Sequence, residues 1–406
     1  MSAPVSRAVL LQLARLGDLV QSLPVIAALK AGGIGSLDLV CPAPFAPLAS
    51  LFSQIDRVLP WDGLKWRTWA DLWKRAPDAV VDEVNAYIRT LTDEPYPVAY
   101  NLNQHPRAVL AAYLLADRVI GPGEGGPLRK DMPPWAAYLR RVAQDRSGNR
   151  VHLADAFCGL CRVRATGRAP HVPAREVRVP TDLEAVGQDD GVWVAVVVGA
   201  GDRDRCVPPE VWTTWITALL DSEERAKVVL VGGRAERERG YVIQDGVAPL
   251  LQGRVWDAVG RTDVRELAGL LSRCHWVIGA DTGPLHLGAA TGAKAMGWYF
   301  ARARVHETGP YGEGHWVWQA EVPLMTDDRP CPARAHDRRS SARWPVKESV
   351  ELLLTGSCRS LVDGWSLWRS RLDRLGAYFT VANGPSIPDR SREAIWERLC
   401  GAPCVQ

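Results

Sequence analysis

A chain of 406 residues with 47% hydrophobic and 23% charged residues is long enough for two or three domains and too apolar to be disordered as a whole. Its 49 Lys and Arg against 46 Asp and Glu leave a net charge of +3, which gives no general pull toward nucleic acid but allows a local cationic face. No stretch approaches the roughly 20 apolar residues that cross a bilayer. Residues 1–13 lack a signal-peptide pattern, and nine scattered cysteines read as the reduced thiols of a cytosolic protein.

The N-terminal half alternates strands and helices. An apolar run at 8–13 reads as a buried strand, a loop with Gly17 follows, and a helix covers 21–30 with Pro24 in its first turn. Strands are expected at 37–40, 58–60 and 98–101. Helical segments are expected at 42–53, 71–92 (broken or kinked at Pro77) and 107–115. Residues 121–134 are rich in Gly and Pro and read as a loop, 151–161 as a helix, and the Arg- and Pro-rich stretch 162–180 as an interdomain connection. A second alternating series follows, with strands at 192–198, 227–231, 255–259, 276–279 and 295–300. Helices are expected at 208–221, 234–244, 284–290 and 347–354, and one opens at Asp263, where Glu266 completes a capping box. Repeated strand–helix units imply parallel sheets with helices on both faces, and ligands bind such sheets at the carboxyl ends of the strands. Leu361, Trp365, Leu367, Trp368, Leu372 and Trp396 suggest a tail of helices with a buried stripe. The 17 tryptophans are unusual; Trp61, Trp66, Trp69 and Trp73 stand among polar residues and read as amphipathic packing or a partner surface.

Four strings carry candidate chemistry. In residues 279–293 a strand ends in the turn Asp281-Thr282-Gly283 before a helix with an early proline, and His286 lies one turn in. Unpaired N–H groups at such a helix start bind phosphate, although Asp281 or Thr282 could equally serve only as a cap. In residues 14–24, Asp18 stands past the first strand, placed to act as a general base or as a cap. In residues 199–212 a turn with Gly201, Arg203 and Arg205 suits a pyrophosphate. Asp202-Arg203-Asp204 fits the D-x-D of metal-dependent sugar transfer, but its arginines favour a cation-rich site without a metal. Glu236, just past Gly232-Gly233, could accept from ribose hydroxyls or face the helix dipole. Cys158 and Cys161 read as buried thiols, and Cys331, Cys358, Cys400 and Cys404 are spaced too loosely for a metal set.

Together these strings resemble glycosyltransferase family 9, the heptosyltransferases of lipopolysaccharide core synthesis. The resemblance rests on Arg15-Leu16-Gly17-Asp18 with Pro24, on Asp281-Thr282-Gly283-Pro284-Leu285-His286 followed by Ala289, Ala290 and Gly292, and on Thr308-Gly309-Pro310-Tyr311-Gly312. It covers about residues 7–354. It departs at Arg205, where lysine is usual, and at Gly288, where alanine is usual.

The resemblance implies a GT-B fold of two facing Rossmann-like domains: residues 1–170 binding the acceptor, 171–354 binding the nucleotide-sugar, and a helical extension, 355–406, packing back on the body. It further implies an inverting, metal-independent transferase with no cofactor, using ADP-heptose as donor and a lipid-anchored oligosaccharide as acceptor. Such an enzyme is cytoplasmic, touches the inner face of the cytoplasmic membrane transiently, and does not bind nucleic acid. Asp18 would be the base, with Arg15 and Gly17 on the acceptor side. Gly201, Arg205, Glu236, Asp281, Thr282, Gly283 and His286 would hold the donor, with Arg205 across the diphosphate from the helix start. Rival readings are a non-catalytic nucleotide-sugar-binding module and a GT-B epimerase or hydrolase.

Overall fold

The computed structural model describes residues 5–127, 131–146, 148–321, 344–382 and 390–400. The chain forms two compact units. One contains Met1–Pro170 with Asp373–Gly376 and Arg390–Gln406; the other contains His171–Leu372 and Ala377–Asp389.

The first unit is built on strands β1 (Arg7–Leu11), β2 (Ser36–Pro42), β3 (Arg57–Trp61), β4 (Ala99–Asn101) and β5 (Val119–Ile120), all parallel, in the order β3-β2-β1-β4-β5. The apolar run Val9–Leu11 is fully buried because β1 is central and helices cover both faces. Strand order reverses between β1 and β4, so connections from those two strands leave toward opposite faces and open a crevice at their carboxyl ends. The expected loop at Gly17 is instead a helical turn, Leu16–Val20, separate from the helix Leu23–Ala31. Pro77 starts the helix Pro77–Leu91 instead of kinking a longer one, since its missing N–H has no partner at a first position. The helix Pro134–Gln144, likewise opened by a proline, was hidden by the Gly/Pro composition before it.

The second unit holds β6 (Val192–Val197), β7 (Ala226–Val231), β8 (Val255–Asp257), β9 (Trp276–Gly279), β10 (Lys294–Tyr299), β11 (Trp316–Ala320), β12 (Trp365–Asp373) and β13 (Gly376–Val381). Their order is β13-β12-β11-β10-β9-β6-β7-β8. β6 to β11 are parallel and β12 is antiparallel to β11. Here too the order reverses beside the first strand, between β6 and β9. Most of the tryptophans prove to be core: Trp212 stacks on Trp298 at 4.8 Å, and both are fully buried with Trp215 and Trp318. Trp61 and Trp69 are buried in the first unit, while Trp73 is 60% exposed.

The tail departs from its expected helical form. Trp365 and Leu367 point inward with exposed-side partners between them, a period of two, so 365–381 forms a hairpin that extends the sheet. Gly376, at φ +100°, permits its turn, because a Cβ there would overlap the Asp155 carboxylate. Among the described residues after Thr355 only Arg390–Cys400 is helical; its Trp396 packs on Trp135 at 4.4 Å, and the buried Arg392 pairs with Asp373. Cys158 and Cys161 are buried free thiols whose pKa burial raises, whereas Cys331 and Cys404 lie outside the described residues.

One buried group makes the second unit acid-sensitive. His315 precedes β11; its ring Nδ1 accepts the Ala295 N–H at 3.1 Å, and its main-chain N–H donates to Ser370 Oγ at 2.8 Å. Burial lowers its pKa from 6.5 to about 4. The unfolded chain therefore binds the proton first, so the stability this group contributes is present above pH 6.5 and is lost as pH falls toward 4. Across that window, denaturant titrations should show a loss of about 3 kcal/mol that His315→Asn abolishes.

Candidate active site

The reversal beside β6 brings three connections to one place. The connection after β6 supplies Gly199–Arg205, the one after β9 supplies Asp281–Gly283, and the one after β7 supplies Gly232–Glu236. The helix after β9 runs Gly283–Ala290, so Gly283 rather than Pro284 is its first residue. Proline at the second position still costs nothing, because the first-turn N–H groups have no intrahelical acceptor. Gly283 and Leu285 keep such donors by position. The Thr282 hydroxyl turns to Ala280 O at 3.3 Å instead of capping the helix.

Asp281 is the organising group. Arg205 Nη1 donates to its main-chain oxygen at 2.9 Å and to Oδ2 at 3.3 Å, and His286 Nε2 lies 3.2 Å from Oδ1. Burial by itself would raise the carboxyl pKa. The hydrogen bond and charge of His286 and the Arg205 guanidinium outweigh it and hold Asp281 below the usual carboxylate range. Two expectations change. Arg205 lies against the Asp281 turn, not across from it, and the buried His286 grips the carboxylate from beneath rather than facing outward. Both follow from the cost of an ionised carboxylate that is 8% exposed, which must have close donors. Nη1 makes both contacts to Asp281, and the Nε and Nη2 donors of Arg205 form no bond among the described residues.

Glu236 folds back so that Oε2 accepts the Gly233 N–H, and its carboxylate fills the space over Gly199, where a Cβ would overlap it. Gly201 is exposed in the same loop, and Asp202 caps the short turn Arg203–Arg205 by accepting the Asp204 N–H at 3.2 Å. Two residues went unnoticed in the sequence. Tyr299 is buried in β10 and donates to Thr308 O at 2.6 Å, tying the Thr308-Gly309-Pro310 string to the site. Arg239 donates from Nε to Val198 O at 2.5 Å and from Nη2 to Val207 O. The spacing of Arg239 three residues after Glu236, one helical turn on, was the available signal.

In the first unit, Asp18 is half-buried in the turn past β1 and accepts the Arg15 N–H at 3.1 Å through Oδ2. Arg15 is exposed and Gly17 half-buried. The main chain leading to Asp18 is pinned by a buried amide pair from β4. Asn103 accepts the Leu13 N–H at 3.1 Å and donates to Leu11 O at 2.9 Å, while Asn101 donates to Asn103 O at 3.0 Å and to Pro122 O at 2.8 Å. Gly121, at φ +99°, must be glycine, since a Cβ would come within 2.4 Å of Asn101 O. Among the described residues no three His, Cys, Asp or Glu side chains cluster as a metal site, and no helix is long and apolar enough to cross a membrane.

Two units on parallel sheets that each reverse beside their first strand are the architecture of the GT-B fold, and the second brings an arginine and a helix start together at its reversal. Residues 182–333 match Glycosyltransferase family 9 (heptosyltransferase), and over that segment the chain is similar to the family. The structure is similar to E. coli heptosyltransferase WaaC with ADP, at 20% identity and TM-score 0.56, covering 75% of this chain and 91% of that one. It is similar to a Veillonella parvula family 9 glycosyl transferase at 17% identity and TM-score 0.61, covering 88% and 99%. E. coli ADP-heptose lps heptosyltransferase II aligns at 16% identity and TM-score 0.57, covering 79% and 92%. At these identities the likeness establishes the fold. No curated protein matches the sequence.

Two outcomes test the packing beneath the site. Gly288 stands where the family usually has alanine, yet a Cβ there would approach Val277 Cγ1 to 2.5 Å and its Cβ to 2.9 Å. Gly288→Ala should therefore lower stability by about 1 to 3 kcal/mol in denaturant titration despite better helix propensity. Asp281→Asn removes the charge that Arg205 and His286 grip. It should cost about 2 to 3 kcal/mol in the same measurement.

Proposed function

We propose that the chain is an inverting glycosyltransferase that moves a heptose from ADP-heptose onto a hydroxyl of a lipopolysaccharide-core-type acceptor. The observation that carries this reading is the convergence of Arg205 and the Asp281–Gly283 turn at the strand-order reversal, inside the segment matched to the family. The choice of nucleotide draws support from the E. coli relative whose structure holds ADP.

In this mechanism the Asp18 carboxylate takes the proton of the acceptor hydroxyl. The hydroxyl oxygen bonds to the anomeric carbon from the face opposite the diphosphate. The bond from that carbon to the diphosphate oxygen breaks, and its electron pair leaves with the diphosphate. Negative charge builds on that leaving group, where the Arg205 donors and the helix-start N–H groups of Gly283 and Leu285 stabilise it. These groups offset the charge without a divalent cation and without a cofactor. Thr282 and Gly201 border the phosphates, Glu236 takes the ribose hydroxyls, Asp281 and His286 hold the turn, and Arg15 and Gly17 serve the acceptor. A lipid-anchored acceptor brings the enzyme to the inner face of the cytoplasmic membrane as a peripheral protein.

The test is ADP release from ADP-heptose with and without a core-oligosaccharide acceptor. Release should require the acceptor, and Asp18→Asn should lower kcat about a hundredfold, the scale of a lost general base, with donor affinity unchanged. Asparagine still accepts the Arg15 N–H, so the turn survives. Acceptor-independent release, or full turnover in Asp18→Asn, would overturn the assignment.

A further inference from the structure

The loop that presents Arg205 leaves the sheet after Val198, whose N–H pairs with Val231 O at 3.0 Å, and re-enters regular structure at the helix Pro209–Ser222. Pro208 and Pro209 offer no N–H, so the returning arm has no main-chain donor at that point. Bonds within the loop are local: Arg205 N–H to Asp202 O at 3.0 Å, and Cys206 N–H to Arg203 O at 3.1 Å. They shape the turn but do not tie it to the sheet.

Arg239 joins the two arms. It projects from the helix Arg237–Gly246, which follows the turn carrying Glu236, and a single guanidinium bonds Val198 O on the outgoing arm and Val207 O on the returning arm. The rigid planar fork of arginine suits two carbonyls at a fixed separation; a lysine ammonium, a compact point charge, does not fix that separation. The distance between Val198 and Val207 sets where the intervening turn can stand. Arg205 in that turn meets the Asp281 turn through contacts of 2.9 and 3.3 Å, so a small change in the arms displaces it.

We propose that Arg239 is a positioning residue for the nucleotide-sugar: by clamping Val198 to Val207 it holds Arg205 where the diphosphate binds. The inference rests on the donor role given to Arg205 above. It assigns Arg239 no contact with the ligand, so its whole effect on binding passes through Arg205.

Equilibrium binding of ADP to the full chain tests this with Arg205→Ala, Arg239→Ala, Arg239→Lys and the double variant Arg205→Ala/Arg239→Ala, with thermal unfolding of each recorded alongside. Each single variant should weaken ADP by about tenfold, the scale of one charge-assisted hydrogen bond. The double variant should bind about as weakly as Arg205→Ala alone, since two residues acting through one contact are not additive. A purely structural arginine would give additive losses, roughly a hundredfold in the double variant, and that result would overturn the inference. Unchanged affinity in both Arg239 variants while Arg205→Ala binds weakly would overturn it alone and leave the donor reading standing. Unchanged affinity in Arg205→Ala would overturn the donor reading itself. If Arg239→Ala does not fold, Arg239→Lys and its double with Arg205→Ala decide; loss of the fold in both Arg239 variants would reduce the residue to a packing role and overturn the proposal.

Discussion

An ionised carboxylate that is almost fully buried, Asp281, sets the terms for the second unit's site. Burial of such a group is tolerated only when donors surround it. Arg205 comes from the connection after β6 and His286 from the helix after β9. One charge thereby ties together two connections, with Arg205 and Asp281 76 positions apart in sequence. The helix start beside it gains an arginine whose remaining donors form no bond among the described residues. On the proposed function, a site of this kind is preorganised for the diphosphate before it binds.

Topology makes the convergence possible. In both sheets the chain lays its first strand in the middle and then builds outward in both directions, so the neighbours β1 and β4, and β6 and β9, send their connections to opposite faces. The crevice at each reversal is lined by loops instead of being closed by a helix. In the first unit the amide pair Asn101 and Asn103 holds the main chain from Leu11 to Leu13, and the turn with Arg15 and Asp18 follows. In the second, Arg205 meets the Asp281 turn. The same architecture thus presents a turn with a carboxylate at one reversal and a cation with a helix start at the other.

Packing under the site adapts family-like strings to this chain. Gly288 and Val277 form a matched pair, the missing methyl of one making room for the branched side chain of the other. Gly297 and Tyr299 repeat the device in β10, where a Cβ on Gly297 would come within 2.6 Å of the Tyr299 ring. Tyr299 then reaches Thr308 O from a fully buried position. The aromatic core behind it, with Trp212 stacked on Trp298, gives the sheet a rigid floor on which loop positions are reproducible.

Much of this was legible in the sequence because it is local. Apolar β-branched runs such as 192–197 mark central strands, Asp263 and Glu266 spell a capping box that the structure forms with bonds of 2.8 Å, and Asp281-Thr282-Gly283 announces a strand–turn–helix. The residue types of the candidate site were legible for the same reason. Their partners were not. That Arg205 rests on the Asp281 turn, that His286 points inward, and that Arg239 bridges Val198 and Val207 depend on strands brought together by the sheet order, which no local pattern encodes. The tail shows the same limit from the other side: Trp365 to Trp368 fits a helical stripe as readily as an alternating strand until β11 offers an open edge to pair with. Local propensity and turn chemistry come from neighbours in sequence and are fixed by it; the pairing of buried charges and edges comes from neighbours in space, and only the folded chain decides it.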